Sequence, residues 1–184
     1  MDARPLRADA RRNQERLLSA ARDAFTVHGE RASLDDIVKR AGVGPGTLYR
    51  HFPNREALLA AVFTEDVTSL AAQAKQLSAE LPPMAALTEF LRVQVEYGKS
   101  RKGVGLAVKA MFSSDCEVLN WCRDTLCGAL GVLLEAAQRQ GHVRTDIDSL
   151  LVLRLGHGVA MASEFSPDDS GRMLAVVIDG LRRR

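Results

Sequence analysis

Cysteine is scarce in this chain: three residues in 184, Cys116, Cys122 and Cys127, an odd number with no C-x-x-C pair. That excludes a disulfide framework and a Cys-rich zinc site, and reduced, semi-buried thiols are the simplest expectation. Only Arg123 hints at the electropositive setting that a redox-sensing thiol requires. Long apolar runs are also missing. No stretch of 18 uncharged apolar residues occurs and the amino terminus has no apolar signal core, so a cytoplasmic protein without membrane contact is expected. Enzyme signatures are absent as well: there is no G-x-S-x-G, no H-E-x-x-H and no Gly-rich phosphate loop after a strand, and the four histidines lie far apart. No enzyme is expected, and no metal or cofactor is implied. Strand patterns, repeats and low-complexity tracts are lacking too, which points to an all-α fold.

What the chain does have is 46% hydrophobic residues, enough for a real core, and an uneven distribution of charge. Residues 1–56 hold 11 Lys or Arg against 8 Asp or Glu, a net of +3, whereas residues 57–184 hold 14 against 15, a net of −1. Arg4, Arg7, Arg11, Arg12 and Arg16 crowd the amino terminus. A flexible basic arm reaching phosphates or the minor groove and a solvated disordered tail both fit that cluster.

The segment from Ser33 to Leu59, S-L-D-D-I-V-K-R-A-G-V-G-P-G-T-L-Y-R-H-F-P-N-R-E-A-L-L, reads as two short helices and the start of a third. Ser33 is placed to cap the first, with Asp36 three residues on, and Leu34, Ile37, Val38 and Ala41 form one apolar stripe. Gly42 falls where a left-handed residue ends a helix, and Val43 can turn inward to plug the angle that follows. Pro45 suits the first turn of a new helix, so Gly44 is its cap and Pro45 to Phe52 its extent. This is a helix-turn-helix, whose second helix enters the major groove of DNA. Leu48 is its one buried position. Thr47, Tyr49, Arg50 and His51 face elsewhere and offer hydroxyl, imidazole and guanidinium donors to phosphate oxygens. Pro53 ends the helix and Asn54 can cap the next. Arg55 in that next first turn opposes the helix dipole, which suggests a neighbouring phosphate.

The run G-T-L-Y-R-H-F-P-N-R-E-A-L-L, preceded by I-V-K-R-A-G-V-G-P, resembles the signature of the TetR family of bacterial transcriptional regulators over about residues 13–63. Carried over residue by residue, the resemblance implies DNA-facing roles for Ser33, Gly44, Pro45, Gly46, Thr47, Tyr49, Arg50, His51 and Arg55, with Tyr49 and His51 as the usual phosphate-contacting pair. Many members have Ser or Thr where this chain has Gly44 and Pro45. Fewer side chains then reach base edges, leaving Thr47 and Arg50 as direct readers and shifting weight to DNA shape.

Around this motif the periodicity predicts about nine helices. The first, about Asn13 to Gly29, repeats Leu17, Leu18, Ala21, Phe25 and His28 and packs across the helix-turn-helix pair. A helix after Asn54 carries Leu58, Leu59, Val62, Phe63 and Val67 and runs on toward Ala79 without a linker. After Pro82 and Pro83 come amphipathic helices over Met84 to Gly98, a short one around Leu106 to Phe112, and a long one capped by Asp115 and reaching Gly141. The boundary expected is 1–56 for a DNA-binding domain and 57–184 for a regulatory, ligand-binding and dimerisation domain.

The last two helices form the second informative region. One, about Ile147 to Glu164, is nearly apolar along L-L-V-L-R-L-G-H-G-V-A-M-A; the other follows Ser166, Pro167 and Asp169 as cap, first turn and reciprocal carboxylate. Gly156, Gly158, Ala160 and Ala162 permit close helix approach, and Leu174, Val177, Ile178 and Leu181 make a stripe. A four-helix homodimer interface is expected; closure of the subunit's own core is the alternative. The resemblance implies the dimer. Phe63, Phe90, Gln94, Tyr97, Met111, Phe112, Trp121 and His157 mix aromatic area with polar handles as small-molecule pockets do, although each also suits a core. His157 fits a dimer contact equally well. The reading is of a homodimeric repressor released from a palindromic operator by a small-molecule ligand. The alternative is a DNA-binding adaptor controlled by a protein partner or by thiol redox state.

Overall fold

A computed structural model describes residues 4–100 and 117–183. Over these residues the chain forms eight α-helices: α1 (Arg4–His28), α2 (Leu34–Ala41), α3 (Pro45–His51), α4 (Arg55–Glu80), α5 (Pro83–Ser100), α6 (Glu117–Arg139), α7 (Ser149–Ala162) and α8 (Ser170–Leu181). Two short 3-10 turns, Gly29–Arg31 and Pro167–Asp169, and an isolated antiparallel bridge between Val143 and Arg182 complete the regular structure. The fold is all-α, as expected. The helix predicted around Leu106 to Phe112 and the cap predicted at Asp115 lie outside the described residues. No described helix is long and apolar enough to cross a membrane. The described helices gather into two compact units, residues 4–65 and residues 66–100 with 117–183, and α4 starts in the first and ends in the second.

Local chemistry sets the helix boundaries of the first unit. Ser33 stands in extended backbone and its Oγ accepts the Asp36 N–H at 3.3 Å. At the other end of α2, Gly42 adopts φ +65° and its N–H reaches the Lys39 carbonyl, while the Val43 N–H reaches the Val38 carbonyl. Those two bonds satisfy carbonyls that the helix leaves open, in a geometry only glycine takes without strain. Val43 is thereby turned onto the core, where Leu17, Ala21 and Phe25 of α1 meet Ile37, Val38 and Ala41 of α2, Leu48 of α3 and Leu58 of α4. Asn54 caps α4 by accepting the Ala57 N–H at 2.8 Å.

The amino-terminal arm differs from expectation. Helix α1 begins at Arg4 instead of near Asn13, so the arginine-rich segment is helical from that point rather than a flexible arm. The reason is local pairing at helical spacing: Arg12 bridges to Asp9, Arg11 to Glu15, and Arg16 donates to the Asn13 side chain.

In the second unit α5 is central. Its Ala86, Leu87, Phe90, Leu91 and Val95 are buried, and it packs on both α6 and α7. Two glycines bring α5 and α7 together. A β-carbon on Gly98 would stand 2.5 Å from the Ala160 Cβ, and one on Gly156 would stand 2.9 Å from the amide atoms of Gln94. Asp148 caps α7 through the Leu151 N–H at 2.8 Å. Before α8 the outcome differs from the predicted cap. Pro167–Asp169 form a 3-10 turn, the Ser166 hydroxyl donates to the Asp169 carboxylate rather than receiving a backbone N–H, and the α-helix starts at Ser170.

Candidate nucleic-acid interface

Helix α3 is short and attached to its unit through few residues. Leu48 is 2% exposed and the cap residue Phe52 is buried beside it, whereas Tyr49 is 54% exposed. Gly44, Pro45, Gly46 and Arg50 are exposed as well, and Thr47 and His51 are half-buried. The His51 ring leans on Phe52 with ring centroids 6.2 Å apart. No described residue hydrogen-bonds or ion-pairs with the side chain of Tyr49 or Arg50. Helix α3 therefore offers an exposed phenol and an exposed guanidinium, with the Thr47 hydroxyl on a half-buried residue. Ser33 is exposed and its Oγ serves as the α2 cap.

The glycines of this helix have no explanation inside the protein. Gly44 and Gly46 have ordinary negative φ, and a β-carbon on either would meet nothing within 4 Å. Their smallness leaves open space on the exposed side of α3, where a rigid backbone can come close.

Arg55 has partners inside its own unit that its place in the sequence did not suggest. Its Nη1 donates to the Ala32 carbonyl at 2.5 Å and its Nη2 to the Gly29 carbonyl at 3.1 Å, with the guanidinium 5.1 Å from the centre of the Phe25 ring. The cation that opposes the dipole of α4 thus sits at the carboxyl end of α1 and its 3-10 extension, where positive charge is favoured. A phosphate is not needed to account for it.

In the second unit the expected interface residues divide into two groups. Gly156, Leu174 and Leu181 are buried within the unit, so these three are corrected from interface to core: α8 turns its i, i+7 leucines inward, and Gly156 makes room for Gln94. Ala160, packed against Gly98, is also internal. Gly158 is exposed with open space at its β-carbon position, and Ala162, Val177 and Ile178 are half-buried. Exposed apolar residues that sequence reasoning missed are Leu151, Leu155 and Met161 on α7, Val176 on α8 at 73% and Phe165 between the helices at 92%. Their signal was the opposite stripe of the same two helices.

The expected ligand residues that are described occupy different settings. Phe90 is fully buried on α5 and Phe63 is buried on α4. Gln94 donates its amide N–H to the Leu153 carbonyl at 2.9 Å, and Tyr97 donates its hydroxyl to Asp66 Oδ2 at 2.7 Å. Trp121 is exposed, and His157 is half-buried with its pKa pushed down by burial against a smaller opposing pull from Glu164. Met111 and Phe112 lie outside the described residues. Asp66, 8% exposed, is a polar group the sequence reading missed; it falls on the core stripe of Val62, Phe63, Val67 and Leu70, which was its signal. Among the described residues no cluster of His, Cys, Asp and Glu could hold a metal. Cys122 is buried, and burial, then Asp124, pushes the Cys127 thiol up, away from the reactive thiolate.

Residues 17–62 match the family of bacterial regulatory proteins named for tetR, and residues 82–183 match the C-terminal domain of SbtR-like transcriptional regulators. The TetR transcriptional regulator SCO0520 from Streptomyces coelicolor is 36% identical, over 92% of this chain and 98% of that one, with a TM-score of 0.67. A TetR transcription regulatory protein from Mycobacterium vanbaalenii is 37% identical over 97% of this chain and all of that one, with a TM-score of 0.64. The HTH-type transcriptional regulator UidR of Escherichia coli is 23% identical over 154 residues, 82% of this chain and 79% of that protein.

Proposed function

This chain belongs to the TetR family and is a DNA-binding transcriptional regulator, and from that premise we propose that it acts as a cytoplasmic homodimeric repressor released from a palindromic operator by a small molecule. The observation that carries the DNA-reading part is the exposed side of α3, with open glycines at 44 and 46 and side chains at 49 and 50 that no described residue engages. In this reading residues 1–56 read DNA and residues 57–184 regulate. Tyr49, His51 and Ser33 hold phosphates, the backbone at Gly44, Pro45 and Gly46 approaches the duplex, and Thr47 and Arg50 reach base edges.

Two copies of α3 are needed for a palindrome, and the exposed apolar residues of α7 and α8 support pairing through a second copy of this chain. Leu155, Gly158, Met161 and Val176 lie on that outward side, with Ala162, Val177 and Ile178 at its edge. The ligand belongs in the second unit, with Gln94, Tyr97 and His157 as its polar handles. Helix α4 is unbroken from Arg55 to Glu80, so a displacement of its second half reaches its first half through the helix itself. Lost register at the phosphates then weakens binding, because hydrogen bonds tolerate only a few tenths of an ångström.

Anisotropy titrations of the full chain on operator and random duplexes test the assignment. Arg50→Ala should lose about 1–3 kcal/mol, mainly on the operator, whereas Tyr49→Phe should weaken both duplexes alike. Tyr49→Phe that loses only discrimination would overturn the phosphate role. For the ligand, calorimetry with and without saturating operator must give the same coupling factor seen in DNA release. Equal ligand affinities in the two titrations would instead favour control by a protein partner.

A further inference from the structure

We propose that the side-chain carbonyl of Gln94 is the acceptor that selects the regulatory ligand, and that this ligand is an uncharged or cationic small molecule presenting an N–H or O–H donor to the seam between α5 and α7. The inference rests on the small-molecule reading above and deepens it at one atom. The Gln94 amide lies over Gly156, where a β-carbon would stand 2.9 Å from both Nε2 and Oε1. Its Nε2 donates to the Leu153 carbonyl of α7 at 2.9 Å. That bond fixes which way round the amide sits, since the reverse would set two carbonyl oxygens against each other. Oε1 is buried and accepts no hydrogen bond among the described residues.

The described part of the seam supplies no donor for this atom. One turn to either side of Gln94 on α5 stand Phe90, fully buried, and Gly98, whose β-carbon position is 2.5 Å from the Ala160 Cβ, and neither residue has a side-chain donor. Backbone N–H groups inside α5 and α7 are committed to their own helices. A tie between the helices is a poor reason for glutamine here, because an unpaired buried acceptor costs at least as much as one neutral hydrogen bond returns. The donor therefore comes from outside the chain. An amide oxygen carries partial negative charge, so it takes N–H and O–H groups and disfavours a carboxylate or a phosphate. Gln94 as a whole is half-buried, so its end group can turn to a molecule lying beside α5 while its shaft stays in the seam.

Thermal melting of the full chain tests this with and without added molecules. In the free protein, Gln94→Met keeps helix propensity and approximate shape while removing the acceptor, and should raise the melting temperature by about 2–4 °C. An unchanged or lowered value would show that the carbonyl is already satisfied, by a bound water, and overturns the proposal. A second measurement uses the wild-type chain and does not depend on the variant folding. Probes matched except for one donor are compared at equal millimolar concentration: indole with N-methylindole, phenol with anisole, and δ-valerolactam with its N-methyl derivative. At least one donor-bearing member should raise the melting temperature by about 2–4 °C, the shift expected when a ligand exceeds its dissociation constant severalfold. Its methylated partner should not, and Gln94→Met should erase the difference. Equal shifts from both members of every pair, or a preference that survives in Gln94→Met, overturn the role of Gln94 and leave the ligand reading standing. No shift from any probe overturns the proposal and counts against the ligand reading as well.

Discussion

Alanine at Gly46 pits the interests of the fold against those of the DNA complex. The position is the second residue of α3, its φ is ordinary, and an added β-carbon meets no atom within 4 Å. Nothing in the protein opposes the substitution, and alanine loses less backbone entropy on entering a helix than glycine, a difference of about 0.5–1 kcal/mol. For a chain of this length that gain corresponds to a melting temperature higher by about 1–4 °C. On the DNA side the same methyl group fills the space through which the duplex backbone approaches. Overpacking at a close contact costs about 1–3 kcal/mol, or about 5- to 150-fold in affinity for each half-site. Thermal melting and operator anisotropy on one preparation measure both effects. A lower melting temperature would mean that Gly46 serves the fold. Unchanged operator affinity would mean that α3 does not approach DNA along this side, and either result refutes the reasoning.

Gly156→Ala should destabilise the second unit by about 1–3 kcal/mol in urea melts, because its β-carbon would press on the Gln94 amide at 2.9 Å; Gln94→Ala in the same chain should recover part of the loss. Val176→Arg and Gly158→Trp, both at exposed positions of their own unit, should leave the subunit folded while shifting the molecular mass by light scattering from dimer to monomer, with a melting temperature lowered only by the lost pairing. A dimer that survives both substitutions would contradict the proposed face. His157 should make stability fall in acid: burial lowers its folded pKa below the ordinary 6.5, so the unfolded chain takes up a proton first as pH drops below that value. The loss should level off once the folded state also protonates, and His157→Gln should remove this component from denaturation curves measured between neutral and mildly acidic pH.

The parts of the fold that were legible in the sequence are those with local causes. Ser33, Gly42, Pro45 and Asn54 each act on backbone groups within five residues, so the helix-turn-helix could be read from spacing alone. Arg55 could not. Two carbonyls it bonds are 23 and 26 residues away, and a dipole argument confined to α4 missed the carboxyl end of α1 lying against it. The final two helices show a related difficulty. Their apolar stripes were evident, but a stripe does not say whether its partner is the same subunit or another copy. Leu174 and Leu181 serve the first purpose, and Val176 stays exposed. Gly156 was read as a means of approach between subunits, whereas Gln94 of α5 occupies the space above it. Small residues announce close contact and not its owner. The tie between Tyr97 and the buried Asp66 depends on long-range packing as well, since 31 residues separate them.

The central claim is that two copies of this chain present α3 to two halves of one DNA site. Selection of bound duplexes from a random-sequence library by the full-length wild-type protein, followed by sequencing, tests it most directly. The account predicts an inverted repeat whose half-site centres are separated by about 34–36 Å along the helix, or a multiple of that distance. Recovery of a single unrepeated motif, or no enrichment over the starting library, would contradict it.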